Sequence, residues 1–432
     1  MKSGIEFKDN RIEFKFEREK DDNIVISSLK YSMTDDIIFV DLPVGLKHIH
    51  SDLIGLAAIM MCNPFVGGKL TLPRPVSKQF YQMASDVISR YRIVENIDED
   101  LEPLEIDKMG RPGLSFSGGA DSAAALAIMP PTTVSVFLNR PLNISRGSYN
   151  SHAPLEICKI LKQSGYDVHV VDSNLENIRN PTGFPTDLAN AIPCILLSRH
   201  LGLDSIAFGT VLESAYGVGH EKFNNYGEGS HWRFFSTLFS SVGIELSLPT
   251  IGISEVGTAI IGMESPIASI GQSCIRGTYG KSCMKCWKCF RKELLMYALD
   301  RDKEEPNFLK MLKTNEIQIR LSAFPISHEN VITYSVQQID LDKNSILKPI
   351  ARKLDTNSNL SFLNKWFSDS IEFVPDKYRN HIRNKILDFL EPMSFDDFNN
   401  IINWDMNPYL SSNKAINSQD RLISYWQDID LK

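Results

Sequence analysis

The sequence predicts an α/β protein built around a doubly wound parallel sheet. Between residue 112 and about residue 265, short β-rich runs alternate with helical runs, as in successive βαβ units. One of these strands runs through a turn of small residues directly into a helix, an arrangement common where such sheets bind ligands. An α+β segment precedes this region and a mainly helical segment follows it, so three domains are predicted, over residues 1–110, 111–295 and 296–432.

Composition and charge exclude several classes of protein. The chain has 432 residues, of which 43% are hydrophobic and 23% charged, which is ordinary for globular proteins and excludes a mainly disordered chain. The formal net charge of −7 argues against a protein that coats duplex nucleic acid. No apolar run reaches the roughly 18 residues that span a bilayer, and the N-terminus lacks the apolar core of a signal peptide. We therefore expect a cytoplasmic protein without a membrane partner.

The N-terminal segment alternates apolar and polar residues, which predicts β structure. Residues 5–8 and 12–16 form two such runs, and Asp9-Asn10 between them favours a tight turn, so a β-hairpin is predicted. The other elements predicted here are a strand over residues 36–42, a helix capped by Ser51 and ended by Asn63-Pro64, a helix over 77–92 and an acidic linker over 95–105.

The central region supplies the sheet. Strands are predicted over residues 113–116, 133–137, 167–171 and 205–208, and helices over 120–129, 154–164 and 188–201. In a sheet of this kind the ligand lies at the carboxyl ends of the strands, where Ser117 and Gly209 fall.

Ser117-Gly118-Gly119-Ala120-Asp121-Ser122 is the most informative short motif. A strand, a turn of small residues and a helix N-terminus together form an anion site, because backbone N–H groups and the helix dipole favour negative charge. The two glycines allow a phosphate to approach the backbone, and the two serines can donate hydroxyl groups. Asp121 would repel a bare phosphate, which suggests a bridging Mg²⁺. The alternative is a glycine turn before a capped helix, without a ligand. No Lys-Ser/Thr pair follows, so this is not a Walker A loop.

This motif resembles the SGGxDS signature of the PP-loop ATP pyrophosphatases, whose sheet is of the adenine-nucleotide α-hydrolase type. The resemblance implies cleavage of ATP between its α- and β-phosphates, with the α-phosphate passing to a substrate oxygen. It implies that Gly118, Gly119 and Ser122 bind the nucleotide, and that Ser117 and Asp121 bind it and also act in catalysis.

Four of the seven cysteines have the spacing Cys274-x8-Cys283-x2-Cys286-x2-Cys289. Four thiolates with CxxC steps can surround one tetrahedral Zn²⁺. An iron–sulfur cluster and a chance grouping of reduced thiols are the alternatives; the ferredoxin pattern is incomplete because no fourth cysteine follows at x3 with a proline. Five basic residues surround the cluster, and offsetting the charge of a zinc–thiolate site is favoured for them over contact with a phosphate: Lys281, Lys285, Lys288, Arg291 and Lys292.

The cysteine spacing downstream of SGGxDS resembles that of the 7-cyano-7-deazaguanine synthase (QueC-type) family, over roughly residues 112–295. His152 and Glu156 follow the second strand as in that family, Gly209 ends a strand as in its second nucleotide loop, and residues 249–256 resemble its proline-led segment. The resemblance implies ATP, Mg²⁺ and Zn²⁺ as cofactors and a 7-carboxy-7-deazaguanine substrate. The family is often dimeric, so a homodimer is expected from the resemblance alone.

Two segments depart from that family. Thr186 and Asp187 replace its Arg-Asn pair, and residues 213–220 replace its substrate segment. Glu213 could accept hydrogen bonds from a guanine-like N1–H and exocyclic amine, and Tyr216 could stack on the base, while His152 is a third candidate substrate residue. A solvated loop residue is the alternative for Glu213, and core packing for Tyr216. His220 and His231 are interpreted as surface or structural residues.

These departures predict that activation of a carboxylate is kept while the acceptor has changed. The hypothesis is ATP-dependent adenylation of a 7-carboxy-7-deazaguanine, followed by amide or nitrile formation with an amine, for which an amine on a partner protein is one candidate. The chain resembles the enlarged QueC-like proteins of bacterial anti-phage systems (Qat and type IV CBASS). A nucleic-acid base-modifying enzyme and a zinc-stapled, ATP-binding scaffold are the alternatives.

Overall fold

The computed structural model describes residues 1–46, 48–141, 149–219, 222–300 and 302–430; His220 lies outside the described residues. The strands in chain order are β1 Lys2–Lys8, β2 Arg11–Glu17, β3 Val25–Ile26, β4 Tyr31–Met33, β5 Ile37–Asp41, β6 Lys69–Leu70, β7 Arg92–Ile93, β8 Arg111–Phe116, β9 Val134–Asn139, β10 Asp167–Asp172, β11 Arg179–Asn180, β12 Leu203–Ala207 and β13 Glu245–Ser247.

The helices in chain order are α1 Ser51–Cys62, α2 Lys78–Val87, α3 Ala120–Ile128, α4 His152–Gln163, α5 Ile192–Leu201, α6 Leu212–Tyr216, α7 Ser230–Ser240, α8 Glu255–Glu264, α9 Trp287–Leu299, α10 Phe308–Leu312, α11 Asn315–Ser322, α12 Glu329–Gln338, α13 Lys348–Lys353, α14 Asp376–Leu387, α15 Phe395–Ile402, α16 Asn407–Leu410 and α17 Asn413–Asp430. Among the described residues, none of these helices has both the length and the apolar character needed to cross a membrane.

The chain divides into two compact units, and it passes between them several times. Unit 1 comprises residues 1–117, 130–208 and 227–247, and unit 2 comprises residues 118–129, 209–226 and 248–432. The three domains expected from the sequence stay a prediction.

The parallel sheet lies in unit 1 and confirms the predicted α/β class. Its five strands have the order β10-β9-β8-β12-β13, and every neighbouring pair is parallel. The order reverses at β8, as in a doubly wound sheet. Because β8 and β12 are parallel neighbours, with Leu114 opposite Ala207, their carboxyl ends lie at the same edge. Ser117 and Gly209 follow these two ends along the chain.

The N-terminal elements of unit 1 confirm the predicted hairpin. β1 pairs antiparallel with β2, and β2 pairs with β5. The predicted cap of α1 was wrong, because Ser51 lies inside the helix and the ring of His50 accepts the hydrogen bond from the Asp52 N–H. The predicted end of α2 was also wrong. The helix stops at Val87, because Ile88 already has an extended backbone, and the chain then enters the short strand β7.

Helices dominate unit 2. From residue 308 onward the described residues form helices and connecting turns without a strand, as predicted for the C-terminal segment. The core of this part is an apolar cluster in which Phe290 and Phe308 are completely buried. Cys274, Cys286 and Cys289 belong to the same cluster, so the cysteine segment is part of the core of unit 2.

Candidate functional site

The predicted phosphate loop is a tight turn at the N-terminus of α3. Gly118 has a φ of +73°, which an L-residue with a side chain rarely adopts. The N-cap of α3 is Gly119, which has no side chain that could occupy the end of the helix. Ser122 donates its hydroxyl hydrogen bond to the Gly119 carbonyl at 3.0 Å. Ser117, the last residue of unit 1, is exposed. The helix N-terminus therefore presents the backbone and dipole that bind anions.

Gly209 lies directly against this loop within unit 2. A Cβ at position 209 would lie 2.8 Å from the backbone carbon of Asp121 and from the Ser122 nitrogen. Real side chains do not tolerate such distances, and a backbone cannot move aside as a flexible side chain can. The structure thus brings the two predicted nucleotide-binding segments into contact.

We expect Gly209→Ala to destabilise the protein by about 1–3 kcal/mol, because the new methyl group must push the α3 N-terminus away. Gly262→Ala in α8 is the matched control, since a Cβ there meets nothing within 4 Å. The control should be neutral or stabilising by up to about 1 kcal/mol. Urea unfolding of both variants measures the difference, and equal stabilities would contradict the close approach.

Asp121 stands in the first turn of α3 between a hydroxyl and an ammonium group. Thr258 of α8 donates a hydrogen bond to Asp121 Oδ1 at 2.8 Å. Lys292 Nζ of α9 lies 3.4 Å from the same oxygen. The Asp121 side chain remains 34% exposed, so its carboxylate is held in position while solvent or a ligand can reach it.

Behind Asp121 lies a buried group of charges centred on Glu255. The Glu255 carboxylate pairs with Arg291 at 2.6 Å, Lys292 at 3.2 Å and His328 at 3.1 Å. Burial alone would raise the pKa of Glu255, but the charges of Lys292, Arg291 and His328 outweigh it and lower the pKa to about 2. Lys292 thus joins this group to Asp121. Both roles considered for Lys292 from the sequence, offsetting charge at the cysteines and contact with a phosphate, stay predictions.

Glu213, a predicted substrate residue, is 0% exposed. Both oxygens of its carboxyl group accept a hydrogen bond from the Glu255 N–H, at 3.1 and 3.2 Å, and Asn330 Nδ2 donates to it at 3.3 Å. It therefore shares with Ser254 the capping of the α8 N-terminus. Burial, and then the charge of Glu255, raise the pKa of Glu213 to about 8.

This raised pKa predicts a pH dependence of folding. Between pH 4.5, the ordinary pKa, and about pH 8, folded Glu213 holds a proton that the unfolded chain releases. Its contribution to stability is therefore complete below pH 4.5 and is lost as the pH rises through 8, with a slope of up to about 1.4 kcal/mol per pH unit. Glu213→Gln should flatten this slope between pH 5.5 and 8, whereas the exposed Glu264→Gln should keep it. Denaturant unfolding across that range measures both, and equal slopes would contradict the prediction.

The other predicted substrate and surface residues are placed as follows. Tyr216 is buried and packs against Phe223, with ring centroids 5.8 Å apart, which is the packing alternative considered for it. His152 is exposed at the start of α4 in unit 1. His231 Nε2 lies 3.2 Å from Asp187 Oδ2, also in unit 1. The substrate roles of Glu213, Tyr216 and His152 stay predictions.

The structure brings the four predicted cysteine ligands together. The sulfur atoms of Cys274, Cys283, Cys286 and Cys289 all lie within 4.8 Å of one another, which can hold one metal ion. The Cys283 N–H donates to the Cys274 sulfur at 3.2 Å. A hydrogen bond with Cys289 lowers the pKa of the Cys286 thiol to about 5 and raises the pKa of Cys289, while burial raises the pKa of Cys283. Without a metal, Cys286 is therefore the thiol that most readily becomes a thiolate, the form that binds metals. We refer to these four residues, which could hold one metal ion, as the metal-binding cluster.

The metal-binding cluster and the phosphate loop border one cavity of about 220 Å³ within unit 2. Ala120 and Thr258 line it from the side of the loop, and Cys274 and Cys289 line it from the side of the cluster. Lys292 lines it as well, three residues after Cys289 on α9. Residues at this spacing share one face of a helix, so α9 carries both a metal ligand and the lysine at Asp121.

Comparisons with known proteins add little to this geometry. Residues 234–405 match the model of a family of unknown function (DUF6395), which is less than half of the chain. No match was found among proteins of curated function. Among solved structures, the chain is similar to the U34-tRNA thiolase NcsA from Methanococcus maripaludis with its 4Fe-4S cluster. The identity is 16%, the match covers 67% of this chain and 90% of that one, and the TM-score of 0.28 carries no argument.

Sequence reasoning missed Glu255, Thr258 and His328 as members of the site, and it placed Arg291 only among the basic residues around the cysteines. Glu255 and Thr258 follow Ser254, a helix cap, at the start of α8, and Arg291 follows the last cysteine on α9. For Glu255 and Thr258, the signal available in the sequence was a capped helix start close to the proline-led segment, residues 249–256. Nothing in the sequence near His328 pointed to the site.

Proposed function

We propose that the protein is an ATP-dependent adenylating enzyme of the PP-loop ATP pyrophosphatase type. The observation that carries this proposal is the close contact of two glycine segments at one helix N-terminus, with Asp121, Thr258 and Lys292 around it. The backbone of Gly118 to Ser122 would bind the β- and γ-phosphates of ATP as an anion at a helix N-terminus. Ser117 would donate its hydroxyl to the same phosphates, as the sequence resemblance implies.

Asp121 is the residue that would hold Mg²⁺. A partly exposed carboxylate beside a phosphate-binding turn suits that ion, which prefers one or two carboxylates together with substrate phosphates. When bound, Mg²⁺ neutralises charge on the phosphates and on the leaving pyrophosphate. Lys292 would add a positive charge on the same side, and the pairs with Asp121 and Glu255 fix its position.

The reaction proposed is acyl activation in two steps. A substrate carboxylate oxygen attacks the α-phosphorus of ATP, the bond from that phosphorus to the bridging oxygen breaks, and pyrophosphate leaves. An amine nitrogen then attacks the acyl carbon, loses a proton and displaces AMP, which gives an amide. A protein that holds the amine close to the acyl-adenylate accelerates the second step by proximity.

The QueC-like part of the proposal names the acid and its acceptor. The cysteine spacing downstream of SGGADS supports a 7-carboxy-7-deazaguanine as the acid. Because Glu213 is buried as a helix cap, this support rests on the motif spacing and not on that residue. The missing Arg-Asn pair and the long outer segments support an acceptor other than ammonia, such as an amine of a partner protein in anti-phage defence.

Zinc is the metal that fits the cysteine cluster best. Four thiolates about 2.3 Å from one zinc ion lie about 3.8 Å apart. The Cys283–Cys289 and Cys286–Cys289 sulfur distances are 3.7 and 3.5 Å. A four-iron cluster holds its cysteine sulfurs farther apart, because each binds a different iron atom.

Exchange of labelled pyrophosphate into ATP tests the adenylation step without knowledge of the amine. We expect exchange with Mg²⁺ and 7-carboxy-7-deazaguanine and none without the acid. Addition of methylamine should then yield AMP and the methylamide. Formation of ADP, or the absence of exchange together with the absence of AMP when methylamine is present, would overturn the proposal.

A further inference from the structure

Unit 1 contains a cavity of about 590 Å³ whose lining is both basic and aromatic. We call it the arginine cavity. Its volume lies within the range of about 300–1,000 Å³ that is usual for small-molecule sites. None of its lining residues belongs to unit 2, which contains Gly118 to Ser122, Gly209 and Lys292. The residues used below are Arg90, Arg179, Arg233, Tyr31, Phe184 and Phe234.

Within the described residues, the positive charge of this cavity is only partly offset, by Asp187 on its lining and by a longer-range attraction between Arg179 and Glu176. Across the described ranges, no ion pair involves Arg90, Arg179 or Arg233. Asp187 is the one carboxylate among the described lining residues, and it already accepts a hydrogen bond from His231 at 3.2 Å. Three guanidinium groups around one concave surface favour an anionic ligand, above all a phosphate, whose oxygens match their paired donors.

Arg179 is held in place before any ligand arrives. Its guanidinium lies 4.5 Å from the centroid of the Tyr31 ring. On another side it packs on Gly183, where a Cβ would lie only 2.2 Å from Arg179 Nη2. Its Nε is buried, and within the described part of the chain it has no hydrogen-bond partner. A fixed guanidinium with an unsatisfied donor is what a preorganised anion site requires.

The N-terminus of α7 adds to the same field. Ser230 and His231 in its first turn line the cavity, and the turn contains no acidic residue. The N-cap is Gly229, so no side chain caps this end. The helix dipole therefore favours negative charge at the position where Arg233 also reaches the cavity.

We propose that the arginine cavity binds a nucleoside 5′-phosphate, with the phosphate on the three arginines and the base against the aromatic rings. The aromatic rings favour a nucleotide over a simple anion as the ligand. Tyr31, Phe184 and Phe234 line the cavity and supply aromatic surface for a base, a contact that favours all bases alike. Arg179 already lies over the Tyr31 ring and Arg140 over the Phe184 ring, so each of these two rings has one face left for stacking. The ligand is a free nucleotide or the 5′ end of a nucleic-acid strand, since both present this chemistry.

Fluorescence titration of the full chain with labelled AMP, and with a 5′-phosphorylated adenosine pentanucleotide, tests the proposal. Arg90→Gln/Arg233→Gln changes two exposed side chains of the cavity. Arg352→Gln/Arg383→Gln is the matched control, with the same charge change at exposed helix positions of unit 2. We expect the cavity variant to raise the Kd at least tenfold for the better-bound probe, and the control to leave it within twofold.

The outcomes separate this proposal from that of the adenylating site. Tighter binding of AMP identifies a free nucleotide as the ligand, and tighter binding of the pentanucleotide identifies the 5′ end of a strand. Either result supports the proposal if the cavity variant weakens the binding of that probe. Equal Kd values for the cavity variant and its control would overturn it. Inorganic phosphate that displaces the labelled probe as strongly as unlabelled AMP does would also overturn it. Pyrophosphate exchange at the adenylating site does not depend on these arginines, so its presence or absence is read independently.

Discussion

Asp121→Asn is expected to abolish pyrophosphate exchange and AMP formation while the protein stays folded. The substitution keeps the shape of the side chain and its hydrogen bond from Thr258, which is 2.8 Å in the wild type. It removes the charge that would hold Mg²⁺ and that lies 3.4 Å from Lys292. Loss of one such electrostatic contribution in an active site costs about 10²–10³ in rate, and loss of the bound ion costs more.

Asp302→Asn is the control for this experiment, because Asp302 is exposed in unit 2 and does not belong to the site. It should keep the wild-type rate. Circular dichroism and thermal unfolding should show both variants folded, since Asp121 is one-third exposed and its main partner remains. An Asp121→Asn protein that forms AMP at more than a tenth of the wild-type rate would contradict the role of the carboxylate.

The turn and helix start of the predicted phosphate loop could be predicted because their geometry is local. Gly118 must adopt positive φ, Gly119 must leave the helix end open and Asp121 must follow in the first turn, and all three demands are met within six consecutive residues. The cysteine cluster could be predicted for a similar reason, since three of its members lie three residues apart. In both cases the sequence spacing itself fixes the distances in space.

The charges behind Asp121 could not be predicted, because they depend on tertiary packing. Arg291 lies 36 residues from Glu255 along the chain, and only the packing of α8 and α9 brings the two within 2.6 Å. The ion pair of Lys292 with Asp121 has the same cause: in the sequence Lys292 belongs to the basic residues around the cysteines, and only the packing of α9 places its Nζ 3.4 Å from Asp121. Glu213 was predicted as an exposed or substrate-binding acid, and a helix start 42 residues away buries it.

Loss of the metal is the second large effect, and it should reach the phosphate loop through α9. Cys286 is the N-cap residue of α9, and Cys289 stands in the first turn. Metal binding would therefore fix the start of the helix that carries Lys292, and it would contribute directly to the free energy of folding. Cys286→Ser is expected to reduce the metal content from one ion per chain to below a tenth, as measured by mass spectrometry of the metal.

The same variant should lose more than about 4 kcal/mol of stability, a range reached when a metal site is destroyed. Pyrophosphate exchange should fall together with the stability, because α9 no longer holds Lys292 against Asp121.

Cys158→Ser is the matched control. That thiol is equally buried but lies on α4 in unit 1, so the variant should retain the metal and the exchange activity despite some loss of stability. A Cys286→Ser protein without metal but with unchanged stability would show that the metal does not stabilise the fold. The Cys286→Ser protein could instead lose the metal and much of its stability but keep full pyrophosphate exchange under conditions where it is folded. That result would show that α9 positions Lys292 without the metal.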